Sequence, residues 1–315
     1  MAFINRICDK VFVINLDSQK ERLAEFDSHM KAQNIKYERF NAIKGSTIQN
    51  DDRLTEYCNT FCTDGIKGCA LSHHSIWQYM INNDLNNVMV FEDDAIIDEN
   101  FDRDLQHVWN HLPKDYDIIY FGSIFGGLDN SIMNTLFKKV IGIDNEEINE
   151  FVHKSKGTAG THALMISRQG AKKFINKKIN CHIDLQLLTW IKTYNYKAYA
   201  VNENIVETSQ DDSTLSDSYP LILNSILKKF HLNNNKNPAT FDWGLSENFM
   251  KLGMFNINYL IVILMGLVLL LPISTYKYFL LWLTIEFLVS FDIKNTIRFL
   301  LFITIPMGIK IFLTK

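Results

Sequence analysis

Short apolar runs rich in β-branched residues alternate with stretches of helical period through the first 201 residues. This alternation constrains the fold more than any other feature: it predicts an α/β domain whose mainly parallel sheet is flanked by helices. Residues 11–16 read as a buried strand that ends at Asn15-Leu16-Asp17. Ser18-Gln19-Lys20-Glu21 then has capping-box spacing, and Leu23, Phe26 and Met30 follow at helical intervals. Residues 37–40 suggest a second strand, and the polar stretch 44–66 a loop-rich excursion. A helix over about 69–82 leads into the strand 88–91, which ends abruptly in Glu92-Asp93-Asp94. A strand at 117–121 closes on Gly122-Ser123. Another at 162–166 precedes Ser167, a candidate N-cap. Asp184 opens a further helix, and 197–201 reads as a strand. In sheets of this kind ligands sit beyond the carboxyl ends of the strands, where the polar clusters at 15–17, 92–94 and 122–123 fall.

The last 65 residues differ in character. From Tyr259 to Ile273 every residue is apolar, Gly or Pro, a run that approaches the ~20 residues needed to cross a bilayer. A second run, 278–291, is interrupted by Glu286, and a third, 299–313, by Pro306-Met307-Gly308 and Lys310. Residues 1–250 hold 26 basic and 33 acidic residues, whereas the tail holds six basic and two acidic ones. This asymmetry and the aromatics Tyr276, Tyr278 and Trp282 point to a membrane interface. The expected division is a catalytic-type domain over 1–249 and a hydrophobic, membrane-associated helical tail over 250–315. Of the three runs, the first comes nearest an uninterrupted spanning helix. The overall charge of −3 gives no sign of nucleic acid as a partner. The N-terminus does not read as a signal peptide. The five scattered cysteines read as buried free thiols of a reducing compartment, because Cys58 and Cys62 lack the second pair that a zinc site needs.

Glu92-Asp93-Asp94 is the strongest chemical signal. Three adjacent carboxylates with no basic neighbour in sequence call for a compensating charge. A hard divalent cation such as Mg²⁺ or Mn²⁺ supplies one, bridging protein carboxylates to a substrate's phosphates. The plain alternative is an acidic loop in which an Asp caps the next turn.

At these residues the chain resembles glycosyltransferase family 25, the lipopolysaccharide and lipooligosaccharide β-galactosyltransferases and the collagen galactosyltransferases. The resemblance rests on Val13-Ile14-Asn15-Leu16-Asp17 with Arg22, Gly68-Cys69-Ala70-Leu71-Ser72-His73 with Trp77, and Val90-Phe91-Glu92-Asp93-Asp94-Ala95. It continues through residues 116–122, Thr161-His162-Ala163-Leu164-Met165-Ile166-Ser167 with Gly170-Ala171, Asp184, and Gln210-Asp211-Asp212-Ser213. It implies a GT-A-type (Rossmann-like) fold and an inverting transfer from a UDP-sugar, most often UDP-galactose, bound with Mn²⁺; Mg²⁺ is the second candidate. Glu92-Asp93-Asp94 stands in the place of the family's DxD-like motif, so Asp94, with Glu92 or Asp93, would hold the metal.

Inversion needs a base on the acceptor side. Asp184 matches the family's Asp before a helix, although an Asp there also reads as an ordinary N-cap. Asp211 and Asp212 are rival bases. By resemblance Asn15, Asp17 and Arg22 contact the nucleotide, Arg22 pairing with phosphate. Ser72 and His73, read as lying near a helix start, join Glu92, Asp93 and Gly122 as donor-binding candidates. His74 and Trp77 read as structural, and His162 as a strand residue.

The expected partners are a UDP-sugar and a glycan or lipid-linked glycan acceptor, reached from the cytoplasmic face of a membrane. Two other classes fit the residues: a membrane-anchored nucleotide-sugar-binding protein without catalysis, and a metal-dependent nucleotidyltransferase. Neither a P-loop nor a dinucleotide fingerprint is present.

Overall fold

The computed structural model describes residues 1–123, 135, 138–140, 142, 145–208, 220–223, 225, 245 and 247–314. The chain forms two compact units, Met1–Asp212 with Asn235–Pro238, and Ser213–Asn234 with Ala239–Lys315.

The first unit runs α1 (Ile4–Ile7), β1 (Lys10–Asn15), α2 (Lys20–Ala32), β2 (Glu38–Asn41), α3 (Glu56–Phe61), α4 (Asp64–Asn82), β3 (Asn87–Glu92), β4 (Ala95–Ile97) and α5 (Phe101–Trp109). It continues with β5 (Ile118–Tyr120), β6 (Glu146–Glu147), β7 (Val152–Lys154), β8 (Ala163–Ser167), α6 (Arg168–Phe174), α7 (Ile183–Tyr194), β9 (Ala198–Val201) and β10 (Val206–Thr208). Eight strands form one mixed sheet in the order β2-β1-β3-β8-β5-β9-β7-β6. β1, β2, β3, β5, β9 and β6 run one way, and β8 and β7 run against them. The sheet is therefore mainly parallel in strand direction, as its sequence pattern implies. β4 and β10 pair antiparallel as a separate ribbon, with Ala95 opposite Thr208.

Both faces of the central strands are covered, which is why they read as continuous apolar runs rather than alternating ones. Val13, Val88, Met89, Val90, Phe91, Ile119 and Met165 are all sealed from solvent. Each side chain of this size contributes about 1.5–3 kcal/mol on burial. Trp77, on α4, packs against His74, Phe174 and Trp190, so it is a core residue as expected.

Three local expectations are corrected. The Ser18–Glu21 capping box does not form: Gln19 occupies the N-cap of α2 without a side-chain hydrogen bond. The stretch 44–66 holds a 3₁₀ turn, α3 and the start of α4, each α-helix capped by a threonine hydroxyl, Thr55 and Thr63. Hydroxyl capping gives a polar segment without hydrophobic period a helical start. Cys58 and Cys62 are joined in a disulfide across the end of α3, with Cα atoms 4.6 Å apart, and are not free thiols. Cys8, Cys69 and Cys181 are free.

The second unit contains β11 (Asn248–Leu252), β12 (Phe255–Asn258), α8 (Tyr259–Leu270), α9 (Tyr276–Ser290) and α10 (Ile293–Leu313). The β11–β12 hairpin pairs Asn248 with Asn258 and so holds residues on both sides of position 249/250 in one unit. The first apolar run, expected to be the best spanning candidate, yields only the 12 residues of α8. Strand β12 precedes it, with Asn258 accepting from the Ile261 N–H as N-cap, and the extended Leu271 before Pro272 ends it. Among the described residues the longest apolar helix is instead α10, with 21 residues, which continues through Pro306. Ile261, Val268, Leu283, Phe299 and Ile303 form a small core. Glu286 is buried and accepts hydrogen bonds from the backbone N–H groups of Leu221 and Ile222. Lys310 Nζ donates to the carbonyls of Leu269 and Leu271, which the end of α8 leaves without helical partners.

Candidate active site

The carboxyl ends of β1 and β3 place Asn15 and Glu92 side by side, and the turn after β3 presents Asp93 and Asp94. The fold supplies the cations that the local sequence lacks. Arg22, in the first turns of α2, sets Nη1 3.1 Å from Asp93 Oδ1 and Nη2 3.2 Å from Asp94 Oδ2. Asn15, almost fully buried, donates to Asp93 Oδ2 at 2.7 Å and to the Gln19 carbonyl at 2.9 Å. Arg39 from β2 donates to Asn15 Oδ1 and to Asp17 Oδ1 at 2.8 and 2.6 Å. Asp17 therefore lies against Arg39, with its side chain 84% exposed, and not against the carboxylate triplet. Arg22 thus rests on two protein carboxylates.

Glu92 Oε1 collects three neighbours. Thr161 Oγ1 donates to it at 2.6 Å, His73 Nε2 lies at 3.0 Å, and the Cys69 thiol at 3.8 Å. Enclosure opposes its charge, but the His73 hydrogen bond and charge, with the Thr161 hydroxyl, outweigh this and hold its carboxyl well below the ordinary range. Asp94 behaves in the opposite sense. Burial, then the Glu92 charge, push its carboxyl well up, and Arg22 offsets only part of that. Burial also raises Asp93, against the pull of Arg22 and Asn15. Asp94 Oδ1 is buried and has no hydrogen-bond partner among the described residues.

His73 and Cys69 stand one turn apart on α4 and face the same carboxylate. Because α4 begins at Asp64, both lie in its interior, and a helix N-terminus does not explain them. Ser72 is fully buried; its hydroxyl donates to the Gly68 carbonyl and accepts from the Ile43 N–H, so it ties α4 to the preceding loop. His74 is a packing residue with Nε2 3.0 Å from the Ile175 carbonyl.

Asp184 sits in the first turn of α7, whose N-cap is His182, so it is not the helix cap. Its carboxylate lies 3.3 Å from the Leu185 N–H. Its charge acts on Cys69, Cys181, Tyr120 and His162, of which Cys69 and His162 also feel Glu92. Asp184 and the carboxylate triplet thus share one electrostatic neighbourhood. The Tyr120 hydroxyl and His162 Nδ1 are buried there without a partner among the described residues. Asp211 and Asp212 lie outside the described residues.

Gly122 is required by close approach: a Cβ would fall 2.1 Å from His162 Nε2 and 2.3 Å from the Val206 carbonyl oxygen. Gly122→Ala is expected to cost roughly 1–3 kcal/mol of stability, read by denaturant unfolding. An unchanged midpoint would show that the ring and the β10 backbone yield freely.

Two donor sets are available to a metal. Cys69, His73 and Glu92 place one ligand atom each within 4.8 Å of one another. A thiol and an imidazole suit a softer ion such as Zn²⁺. In this arrangement the thiol is held neutral by burial, then by Glu92 and Asp184, and it serves as a hydrogen-bond donor. The oxygens of Glu92 and Asp94 suit a hard cation, and the orphaned Asp94 Oδ1 gives it a ready ligand atom. Thr161 and Cys69 carry no metal-motif signature in sequence. Only their positions in the family blocks mark them.

The chain belongs to glycosyltransferase family 25: the family model described as "Glycosyltransferase family 25 (LPS biosynthesis protein)" matches residues 8–187. It is 26% identical over 204 residues to the lipooligosaccharide biosynthesis protein lic2B of Haemophilus influenzae, covering 62% of this chain and 74% of that protein. Procollagen galactosyltransferase 1-A of Xenopus laevis is 28% identical over 182 residues, covering 53% of this chain and 28% of its own. Inactive glycosyltransferase 25 family member 3 of Mus musculus is 32% identical over 128 residues, covering 36% of this chain and 22% of its own. The matched region is thus less than a third of these animal relatives' length. Among solved structures, A197 from STIV is similar at a TM-score of 0.35, with 12% identity, covering 67% of this chain and 98% of that one.

Proposed function

We propose that this chain is a metal-dependent, inverting hexosyltransferase that moves a sugar, galactose foremost, from a UDP-sugar to a glycan acceptor of the lipopolysaccharide, lipooligosaccharide or related glycoconjugate type. The observation that carries the reading is the carboxylate triplet at the end of β3, with one Asp94 oxygen buried and unpaired beside Arg22. Asp94 and Glu92 would hold Mn²⁺, or Mg²⁺, against the donor diphosphate. Bound there, the cation supplies Lewis-acid stabilisation of the charge that builds on departing UDP. Asn15 orients Asp93, and Thr161 and His73 fix Glu92 in its ionised form. Asp184 takes the proton of the acceptor hydroxyl as it attacks the face opposite the leaving group.

The match to a relative named as inactive favours one second reading, a nucleotide-sugar-binding protein without turnover. A donor screen decides: full-length protein with Mn²⁺, a panel of UDP-sugars and lipooligosaccharide or lipid-linked acceptors should release UDP with one donor above the rest. Binding of UDP-sugar without release of UDP establishes the second reading, and release of pyrophosphate from a nucleoside triphosphate supplied with a sugar phosphate in a parallel assay establishes nucleotidyl transfer.

We further propose that residues 250–315 hold the enzyme at the cytoplasmic face of a membrane. α10 is about 31 Å long, enough to cross a hydrocarbon core of ~30 Å. Leu270, Leu281, Leu288, Ile293, Ile305 and Phe312 are exposed apolar side chains of the second unit, an apolar display that marks interaction surfaces. Full-length protein should float with phospholipid vesicles, and its recovery from the lipid-free fraction would end this part of the proposal.

A further inference from the structure

Arg22 has two claimants. Its guanidinium lies on Asp93 and Asp94 at 3.1 and 3.2 Å, yet its side chain keeps 20% of its surface exposed at the rim of the cluster. A planar fork of this kind fits a carboxylate pair and a phosphate equally well. One cation serves two carboxylates: Arg22 faces Asp93 and Asp94, and Asp94 is the farther of the two, met at Oδ2. It is also the one with an unpaired, buried oxygen. A divalent cation at that oxygen would relieve the excess negative charge but would place two positive groups side by side. A diphosphate arriving with the cation removes that conflict by offering Arg22 a new partner.

From this geometry we infer that Arg22 is an exchangeable counter-ion, which holds Asp93 and Asp94 before the cation binds and passes to the donor diphosphate afterwards. Cation and nucleoside diphosphate are then coupled through one side chain, in addition to their direct contact. The inference rests on the proposed metal and nucleotide site. It makes Arg22 a positioning residue for the carboxylates and a ligand for the diphosphate in turn.

Calorimetric titration of Mn²⁺ into full-length protein, with and without UDP, tests it independently of turnover. Wild-type protein should bind Mn²⁺ weakly alone and at least ~10-fold more tightly with UDP, within the usual range of coupling between two ligands. Arg22→Gln should bind Mn²⁺ alone about 10-fold more tightly than wild type, and UDP should enhance that binding about 10-fold less. Arg22→Lys keeps the charge but cannot span two carboxylates. It should shift both quantities in the same direction by a smaller factor, and it decides between the outcomes if Arg22→Gln does not fold. Unchanged or weaker Mn²⁺ binding by the folded variant overturns the exchange while leaving the metal site intact. No Mn²⁺ uptake by wild type, even with UDP, overturns the metal site and the exchange together.

Discussion

Asp94→Asn should lower turnover by about a thousandfold and leave the protein more stable at pH 8 than the wild type. On the proposed function, the first effect follows from losing a charged ligand to the cation that would stabilise the leaving diphosphate, where single electrostatic contacts are worth roughly 10²–10³-fold. The second follows from linkage. Burial and Glu92 raise the Asp94 carboxyl far above its unfolded value near 3.9. Between those two values the folded state binds more protons than the unfolded state, so wild-type stability falls as pH rises through that window. Asn cannot ionise and escapes the loss. The melting temperature of the variant should therefore exceed that of wild type by roughly 2–4 °C for each kcal/mol relieved at pH 8, and the gap should narrow toward pH 5. Thermal unfolding at the two pH values measures this, and a gap that is constant with pH would disprove the electrostatic account. Retained turnover would remove Asp94 from the metal site.

Asp184→Asn should cost roughly 10²–10⁴-fold in kcat, the usual contribution of a general base, and leave UDP-sugar affinity within about threefold. Stability should barely change: His182 occupies the N-cap, and the first-turn charge is worth only ~0.3–1 kcal/mol through the helix dipole. This combination separates catalysis from folding, because a cap or core residue would lose stability along with activity. Collapse of turnover in Asp211→Asn or Asp212→Asn, with Asp184→Asn still active, would move the role to that residue.

Much of the first unit is legible in the sequence because its signals are local. A continuous apolar run such as residues 88–91 ending in three carboxylates specifies a doubly covered strand and the polar cluster at its end without reference to distant chain. Ser167 likewise announces its helix and caps it, accepting from the Gly170 N–H at 3.0 Å. Partnership across the sheet is what cannot be read locally. The triplet looks uncompensated along the chain, yet Arg22 lies 71 positions before Asp93 and meets it only because β1 and β3 pair in parallel. The role of Ser72 is hidden by the start of α4, where a threonine cap outweighs an unpatterned, Gly-containing first turn. In the tail, composition reveals the apolar character but not the helix lengths. Asn258 and Pro272 shorten the most hydrophobic run, while Pro306 fails to interrupt α10.

The reversed direction of β8 makes the site sensitive to sheet register. Phe91 pairs with Ala163, and the ladder continues where the Glu92 N–H donates to the His162 carbonyl at 3.1 Å. Thr161 reaches Glu92 because it stands where β8 begins, just after Gly160, whose φ of +105° belongs to the left-handed region. Inserting or deleting one residue between 161 and 163 would move this wall by about 3.3 Å and turn alternate side chains to the other face. Length changes among natural or engineered relatives should therefore collect before residue 157 or beyond Ser167, while the spacing between Gly160 and Ala163 stays fixed like the teeth of a gauge.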